Sequence, residues 1–285
     1  MKIKDLIEAF RLDWEAWSSA NKSTWNTDYR SIFRRLPRDE TLTMEIIKEV
    51  LQTTEPNSRQ RKRAAVSLHA LARFAGLDFP LKRYSGSYNY TSTKPRTLPS
   101  DELIAQTFHS IENPRWRWVF GMLAVYGLRP HEVFCLDFDR IKSGDSVVQV
   151  LHGKTGPREV FAFPAEWYYE MGCQNVLLPR VNRDTKSFAQ LGSKVTMYFR
   201  QPKPDARRQP LPFVPYDLRH RWAVRTIEHG LDASLAARQM GHSLSVHTRI
   251  YHQWIDRAVH ERAYQQTLRN PHRPQIASIP PSQTT

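Results

Sequence analysis

The sequence predicts a mainly α-helical protein with a small antiparallel sheet, organised as two domains. Three observations support this prediction. The chain has 285 residues, whereas one domain usually has about 100–200. Apolar residues recur at helical spacing along most of it. Residues 147–163 instead contain two short apolar runs on either side of a glycine-bearing turn, which is typical of two paired strands.

The first domain, residues 1–80, is predicted to be all-helical. Apolar residues recur at helical spacing in its first two helices, and Pro37 ends the second one. Thr43 and Asn57 are the predicted N-caps of the next two helices, and Gly76 stands where a C-terminal cap is expected. The apolar positions of the first two helices are Leu6, Ile7, Phe10, Trp14 and Trp17, then Trp25, Tyr29, Ile32, Phe33 and Leu36.

The second domain, residues 100–268, follows a predicted linker. Residues 81–99 are rich in Ser, Thr, Gly, Pro and Tyr and lack apolar periodicity, which is typical of a connecting segment. Ser100 is the predicted N-cap of a helix whose first turn is acidic. Beyond the predicted strands the helical pattern returns over residues 165–268, and we expect residues 269–285 to form a flexible tail.

The charge balance points to a polyanionic partner. The formal net charge is +14, and half of the excess lies in residues 1–100 and half in residues 101–285. Positive charge on both domains is suited to binding a long polyanion that contacts both of them. A basic protein without a nucleic-acid partner is the alternative.

Several classes of protein are disfavoured. No apolar run reaches the about 18 residues of a membrane span, and Asp and Glu interrupt the apolar pattern of residues 1–17, unlike in a secretory signal. Two cysteines, Cys135 and Cys173, make neither a disulfide framework nor a zinc cluster. We therefore expect a reduced, cytoplasmic protein without a membrane, a cofactor or a metal.

A cluster of cations opens the fourth predicted helix. Arg59, Arg61, Lys62 and Arg63 lie in its first turns, where positive charge opposes the helix dipole. Contact with DNA phosphates would compensate for this, and these residues are our candidate DNA-binding group. A face that is only solvated is the alternative.

Four stretches of the second domain contain residues suited to phosphate chemistry. They are "GLRPHEVFCL" with Arg129, "HGKTGPRE" with Lys154 at the predicted turn, "YDLRHRWAVR" with Tyr216 and Arg219, and "MGHSLSVHTRIY" with His242 and Tyr251. Pro130 predicts that a helix begins just after Arg129. Each stretch alone has an ordinary explanation as surface, cap or core. Their order and spacing together are much more specific.

In this order the four stretches resemble the signature of the tyrosine recombinases, the phage-integrase family of site-specific DNA recombinases. The resemblance covers about residues 100–265. It implies that Arg129 and Arg219 clamp the scissile phosphate and that Lys154 protonates the departing 5′ oxygen. It also implies that His242 hydrogen-bonds the phosphate or the leaving group, and that Tyr251 attacks phosphorus to form a 3′-phosphotyrosyl link without metal or ATP.

One position departs from this signature. The family usually has His three residues before the second arginine, where this chain has Tyr216. A phenol titrates near pH 10 and an imidazole near about 6.5, so Tyr216 is the weaker base at neutral pH. It can still hydrogen-bond a phosphate oxygen or the nucleophile, which keeps it among the candidate catalytic residues. His220 is the next candidate for that role, although we expect it to be structural. His242, His247 and His252 are spaced so that they do not share one helix face, which disfavours a metal site.

The resemblance further implies a clamp of two domains around double-stranded DNA. Residues 1–80 are similar in shape to the family's SAM-like helical core-DNA-binding domain, and the helical pattern begins too close to Met1 for an additional arm-binding domain. We expect inverted-repeat core sites, a homotetramer on DNA, a Holliday junction and an optional directionality factor, in a nucleoid-associated protein. A helix at residues 257–268 would dock on the neighbouring protomer.

Two alternatives remain open at this stage. A recombinase-derived protein that binds specific DNA without cutting it would accommodate Tyr216. An enzyme that nicks and reseals DNA alone, as type IB topoisomerases do, would use similar residues. Integration, excision, inversion and resolution are not distinguished by the sequence.

Overall fold

In the computed structural model the chain forms two compact units, Met1–Thr93 and Lys94–Thr285. The structure describes residues 1–19, 24–89, 95–153, 155–183, 187–200 and 210–272. The predicted fold class, mainly helical with a small antiparallel sheet, is confirmed. Within these ranges no helix combines the length and the apolar character that crossing a membrane requires.

The N-terminal unit is helical throughout its described elements. These are α1 (Ile3–Trp17), a π-helical turn (Trp25–Arg30) that continues into α2 (Ser31–Phe33), α3 (Met44–Gln52), α4 (Arg59–Phe74) and α5 (Leu81–Ser85). The aromatic residues predicted from helical spacing form much of its core, and Phe10 contacts the rings of Trp25, Tyr29 and Phe33. The Thr43 hydroxyl caps α3 as predicted, and Gly76 follows α4 with φ of +75°.

The start of α4 differs from the prediction. Its N-cap is Ser58, whose hydroxyl accepts a hydrogen bond from the Arg61 N–H at 3.0 Å. An N-cap residue needs extended backbone, whereas Asn57 has φ of +54°. The Asn57 Oδ1 instead accepts from the Ser87 N–H at 2.9 Å.

The segment predicted as a linker is partly structured. Its first residues form α5, which packs on α4, and the rings of Phe79 and Tyr84 stack with centroids 5.2 Å apart. Residues 90–94 lie outside the described residues. Ser100 caps the next helix as predicted, because its hydroxyl accepts from the Leu103 N–H at 3.2 Å.

The second unit surrounds a larger apolar core with helices and one hairpin. Its described elements are α6 (Asp101–Ser110), α7 (Pro114–Tyr126), a 3₁₀ turn (Glu132–Phe134), α8 (Phe138–Lys142), β1 (Val147–Val150), β2 (Arg158–Phe161), α9 (Trp167–Glu170), α10 (Phe188–Arg200), α11 (Asp217–Glu228), α12 (Ala233–Met240), α13 (Leu244–Tyr251), a second 3₁₀ turn (His252–Trp254) and α14 (Arg257–Leu268). Strands β1 and β2 pair antiparallel, with Val148 opposite Val160.

Two helix ends in this unit bring distant segments together. Helix α7 ends at Gly127 and α12 ends at Gly241, and both glycines have left-handed backbone with φ of +57° and +63°.

Helix α14 packs on α11 of the same chain through buried Val259, and Arg262 bonds Glu228 at 2.6 Å. Of the predicted tail, residues 273–285 lie outside the described residues.

Candidate active site

The two arginines predicted to bind phosphate converge at the end of α12. Arg219 Nη2 donates to the Met240 carbonyl at 2.5 Å, and Arg129 Nη2 donates to the next carbonyl, that of Gly241, at 3.1 Å. Arg219 also donates from Nη1 to the Gly127 carbonyl at 2.7 Å. Backbone carbonyls at two helix ends therefore hold both guanidiniums in fixed positions.

Gly127 is required where α7 ends. A Cβ at this position would lie 2.7 Å from Cγ of Trp222, in addition to the cost of its left-handed backbone. The Trp222 indole also donates to the Val125 carbonyl at 2.9 Å. This close approach of α7 and α11 brings Arg219 to the Gly127 carbonyl.

Glu132 is fully buried and holds Arg129 in place. Its Oε1 accepts from Arg129 Nη1 at 2.8 Å, and Arg158 donates to both of its oxygens at 2.9 and 2.7 Å. Burial opposes ionisation of the carboxyl group. The hydrogen bond from Arg158 and the positive charges around it outweigh burial and lower the pKa of Glu132 to about 2. Glu132 is thus an anion at neutral pH.

The helix predicted to begin at Pro130 is only a 3₁₀ turn, Glu132–Phe134. The Arg129 backbone N–H donates to Glu132 Oε2 at 2.7 Å. The buried carboxylate therefore occupies the Arg129 N–H, which a helix start at this position would have left free for an anion. What Arg129 offers a ligand is its side chain.

Tyr251 ends α13 and lies in a cluster of aromatic rings. Its side chain is 1% exposed, and its ring centroid lies 5.6 Å from that of His220, 6.0 Å from that of His242 and 4.7 Å from that of His247. Burial lowers the pKa of Arg219. The Tyr251 side chain is close enough to act on this pKa in the opposite direction. The predicted nucleophile and the predicted phosphate clamp therefore belong to one site.

His242 and His247 form a pair, although their spacing of five residues disfavoured a shared helix face. His242 precedes the N-cap Ser243, so it lies outside α13, and its Nε2 is 3.1 Å from Nδ1 of His247. Burial and neighbouring positive charges, first that of Arg219, lower the pKa of His242 to about 3 and that of His247 to about 4. Both imidazoles are therefore neutral at neutral pH.

Tyr216 occupies the N-cap position of α11 beside His220, with ring centroids 5.1 Å apart. His220 is buried, and burial and the charges of Arg96 and Arg219 lower its pKa to about 4. Arg96 lies 3.0 Å from the buried Asp217 carboxylate. Its carbonyl accepts from the Trp254 indole at 3.0 Å, so residues around the predicted linker's end contact both α11 and the turn after Tyr251.

Lys154, predicted at the hairpin turn, lies outside the described residues. The neighbouring Thr155 hydroxyl is 3.4 Å from Arg129 Nη1. A cavity of about 1090 Å³ is lined by Thr155, Arg158, Gly241 and His242. Among the residues that the structure describes, no three His, Cys, Asp or Glu side chains gather as metal ligands do.

The predicted DNA-binding cations at the start of α4 differ in their surroundings. Arg61 donates to the hydroxyl and the carbonyl of Thr54 at 2.7 and 2.5 Å, and Arg63 bonds Asp28 at 2.9 Å. Lys62 bonds the Tyr88 carbonyl at 3.2 Å. Arg59 is exposed, and its side chain makes no hydrogen bond or ion pair with the described residues. It lines a cleft that also contains Arg35, Arg63, Ser31 and Gln60.

Three residues of this site were not predicted from the sequence. Glu132 lies in the quoted "GLRPHEVFCL" stretch, and its spacing of three residues from Arg129 was the available signal. Arg158 lies on β2, where apolar patterning does not reveal a buried cation. His247 was considered only as a metal ligand, and its spacing of four residues before Tyr251 was the signal for contact on one helix face.

Two family models and two known proteins match this chain. The model of the phage integrase family matches residues 101–257, and the model of the XisA/XisC excisase second domain matches residues 4–85. Excisase A and Excisase C of Nostoc sp. (strain PCC 7120 / SAG 25.82 / UTEX 2576) are 26% and 24% identical to this chain, each over 93% of it. The chain spans only 61% and 57% of the lengths of these relatives.

The fold is also found in a solved structure. The integrase of transposon Tn1549, in complex with transposon right end DNA, has a TM-score of 0.57 and 15% identity, covering 94% of this chain and 99% of that chain. At this identity the likeness concerns the fold alone. The integrase family model, in contrast, matches more than half of the sequence, over the range that contains the four stretches described above. The chain belongs to the phage integrase family, as the order of its motifs predicted.

Proposed function

We propose that this protein is a site-specific DNA recombinase that cuts and rejoins DNA through a 3′-phosphotyrosyl link at Tyr251. One observation carries the proposal. Arg129 and Arg219 come from separate segments and bind consecutive carbonyls at the end of α12. The Tyr251 ring lies beside His242, the residue that follows these carbonyls. Fixed cations beside a tyrosine suit metal-free phosphoryl transfer, since negative charge builds on the phosphate oxygens in the transition state.

The residues divide the reaction between them. A guanidinium has five N–H donors, and each of these arginines keeps some of them for the non-bridging oxygens. Tyr251 gives up its phenol proton to a base as its oxygen attacks phosphorus. The new O–P bond forms and the bond to the 5′ oxygen breaks, while Lys154 gives a proton to the departing oxygen. The phosphodiester energy is retained in the tyrosyl link, so a 5′ hydroxyl can reseal the strand without ATP. Because Tyr251 is buried, its hydroxyl must become accessible to the DNA before it can attack.

The names of the relatives favour one outcome of recombination. Two curated proteins similar to this chain are called excisases, and the N-terminal unit matches an excisase domain model. We therefore propose excision of a DNA element between paired sites. Inverted-repeat core sites, a homotetramer, a Holliday junction, nucleoid association and an optional directionality factor belong to this proposal.

Two other functions are outcomes of the same test. A protein that binds a specific site without cutting it would be consistent with Tyr216, which is a poor base. A solitary nicking and resealing enzyme would relax any supercoiled plasmid, whereas a recombinase requires its own site. The carbonyl-bound arginines and Tyr251 favour cleavage over binding alone.

The proposal is tested by covalent trapping. Nicked suicide duplexes from a pooled genomic library are incubated with the protein in EDTA, and adducts that survive SDS are sequenced. We expect adducts at one class of site with wild type and with Tyr169→Phe, a matched control at an exposed tyrosine on α9. We expect none with Tyr251→Phe. Site-specific binding without any adduct would refute cleavage, and adducts at unrelated sequences would favour the topoisomerase-like function.

A further inference from the structure

His247 is placed to act on Tyr251, although the mechanism above gives it no role. The two residues are one helical turn apart on α13, so their side chains are neighbours on one helix face. Their ring centroids are 4.7 Å apart, which is less than the distance from Tyr251 to His220 or His242. The His247 side chain is 1% exposed.

The hydrogen-bond pattern gives the His242–His247 pair two distinct ends. One N–H lies between Nε2 of His242 and Nδ1 of His247. Two neutral imidazoles have one further N–H and one bare nitrogen, which must lie at opposite ends of the pair. If His247 donates within the pair, His242 Nδ1–H can face a phosphate oxygen and His247 Nε2 becomes a proton acceptor.

The outer nitrogen of His247 is in the right condition to take a proton. His247 Nε2 is buried and has no hydrogen-bond partner among the described residues, the Tyr251 hydroxyl included, so the phenol must turn toward this nitrogen before its proton moves. A buried polar atom without a partner is costly, so its retention calls for an explanation. Burial and the charges of Arg219 and His252 lower the pKa of His247, which keeps the imidazole neutral before reaction. A bound phosphodiester anion would offset the arginine charges and make this nitrogen more basic.

We propose that His247 is the general base for Tyr251 and that the His242–His247 pair connects the nucleophile to the phosphate. The inference rests on the proposed function of Tyr251. As the Tyr251 O–P bond forms and the bond to the 5′ oxygen breaks, the phenol proton moves to Nε2 of His247. His242 Nδ1–H donates to a non-bridging oxygen throughout. On resealing, the proton returns from His247 to the phenol oxygen as the O–P bond breaks.

Two variants separate proton transfer from mere packing. In His247→Asn the amide lies near the former Nδ1 and can keep the bond to His242, but the outer nitrogen is lost. In His247→Gln an amide lies near the former Nε2, but it cannot accept a proton. His220→Gln tests the other buried imidazole beside Tyr251, and His109→Gln is the matched control at an exposed histidine on α6.

The assay is single-turnover cleavage of a suicide duplex, with a second duplex that carries sulfur as the bridging 5′ leaving atom. We expect both His247 variants to cleave about 10²-fold or more slowly on both duplexes, because sulfur removes the need for an acid but not for a base. Lys154→Ala should recover on the sulfur duplex, whereas His109→Gln should match wild type on both.

Several results would overturn this assignment. His247→Asn within about threefold of wild type would reduce His247 to a packing residue. If the His247 variants cleave the sulfur duplex at the wild-type rate, His247 acts on the leaving group and not on Tyr251. If only His220→Gln slows cleavage, His220 is the residue that takes the phenol proton. If the variants fail to fold, histidine-selective ¹⁵N NMR of wild type decides, since protonated Nε2 on a neutral His247 contradicts the proposal. Absence of any wild-type adduct would instead refute the proposed function itself.

Discussion

Replacing the buried carboxylate Glu132 by Gln should destabilise the second unit. Gln keeps the shape of Glu132 but removes the charge that neutralises Arg158 and Arg129. The difference between the ordinary pKa of 4.5 and about 2 corresponds to about 3 kcal/mol of stabilisation of the ionised form. Loss of one partner of a buried ion pair commonly costs about 3–5 kcal/mol, which agrees with this value.

The pH dependence of this contribution has a definite sign. A carboxyl group whose folded-state pKa is lowered stabilises the fold above its ordinary pKa of 4.5, and the stabilisation is lost as pH falls toward about 2. At neutral pH the full effect of Glu132→Gln is therefore present. It should lower the Tm of the second unit by about 6–12 °C, since 1 kcal/mol shifts Tm by about 2–4 °C in a domain of this size.

The matched control is Glu159→Gln on β2. Glu159 pairs with Arg140 while its side chain is 54% exposed, so its removal should change stability by less than about 1 kcal/mol. Calorimetry of the full chain measures the Tm of both variants. The unfolding transition of the second unit is identified as the one that shifts when a residue of that unit is substituted. Equal Tm values for the two variants would refute the assignment of Glu132 as the charge that holds the arginines together.

Two further predictions follow from backbone geometry and from the start of α4. Gly127→Ala should destabilise the second unit by at least about 2 kcal/mol, since a left-handed residue and a close contact with Trp222 add together, and an unchanged Tm would contradict this. Arg59→Ala should weaken DNA binding and reduce the slope of log K against log salt by about 1 without changing Tm, whereas Arg61→Ala should lower Tm through loss of its bonds to Thr54. Salt-titrated binding and thermal unfolding distinguish the two, and an unchanged slope for Arg59→Ala would exclude phosphate contact there.

Helical periodicity was sufficient to predict most of the fold, because burial of apolar side chains decides it. Phe10, Trp25 and Tyr29 meet in one core as their spacing indicated. The N-cap of α4 could not be chosen in the same way. Asn57 and Ser58 both have capping side chains, and only the backbone angle at Asn57 distinguishes them. Such angles depend on tertiary contacts, here the bond from Ser87.

The site was predictable where function requires a residue type at a fixed spacing, and less so where burial determines its role. Arg129 and Arg219 were found from their motifs, but nothing in the sequence indicated that backbone carbonyls hold them. Arg158 lies on a short strand, where a cation is ordinarily an exposed residue. Its burial follows from Glu132, and the two could be paired only once the chain was folded.

Tyr216 stands where the family usually has His, and different residues of the site hold the arginines and, as we propose, take the phenol proton. The arginines are held by Glu132 and by the ends of α7 and α12, and none of these bonds involves residue 216. Proton transfer, as we propose it, depends on His247 within α13 itself. A chain in which base and nucleophile share one helix can change residue 216 without disturbing the phosphate clamp. The position where this chain departs from its family is therefore one that takes no part in holding the two arginines.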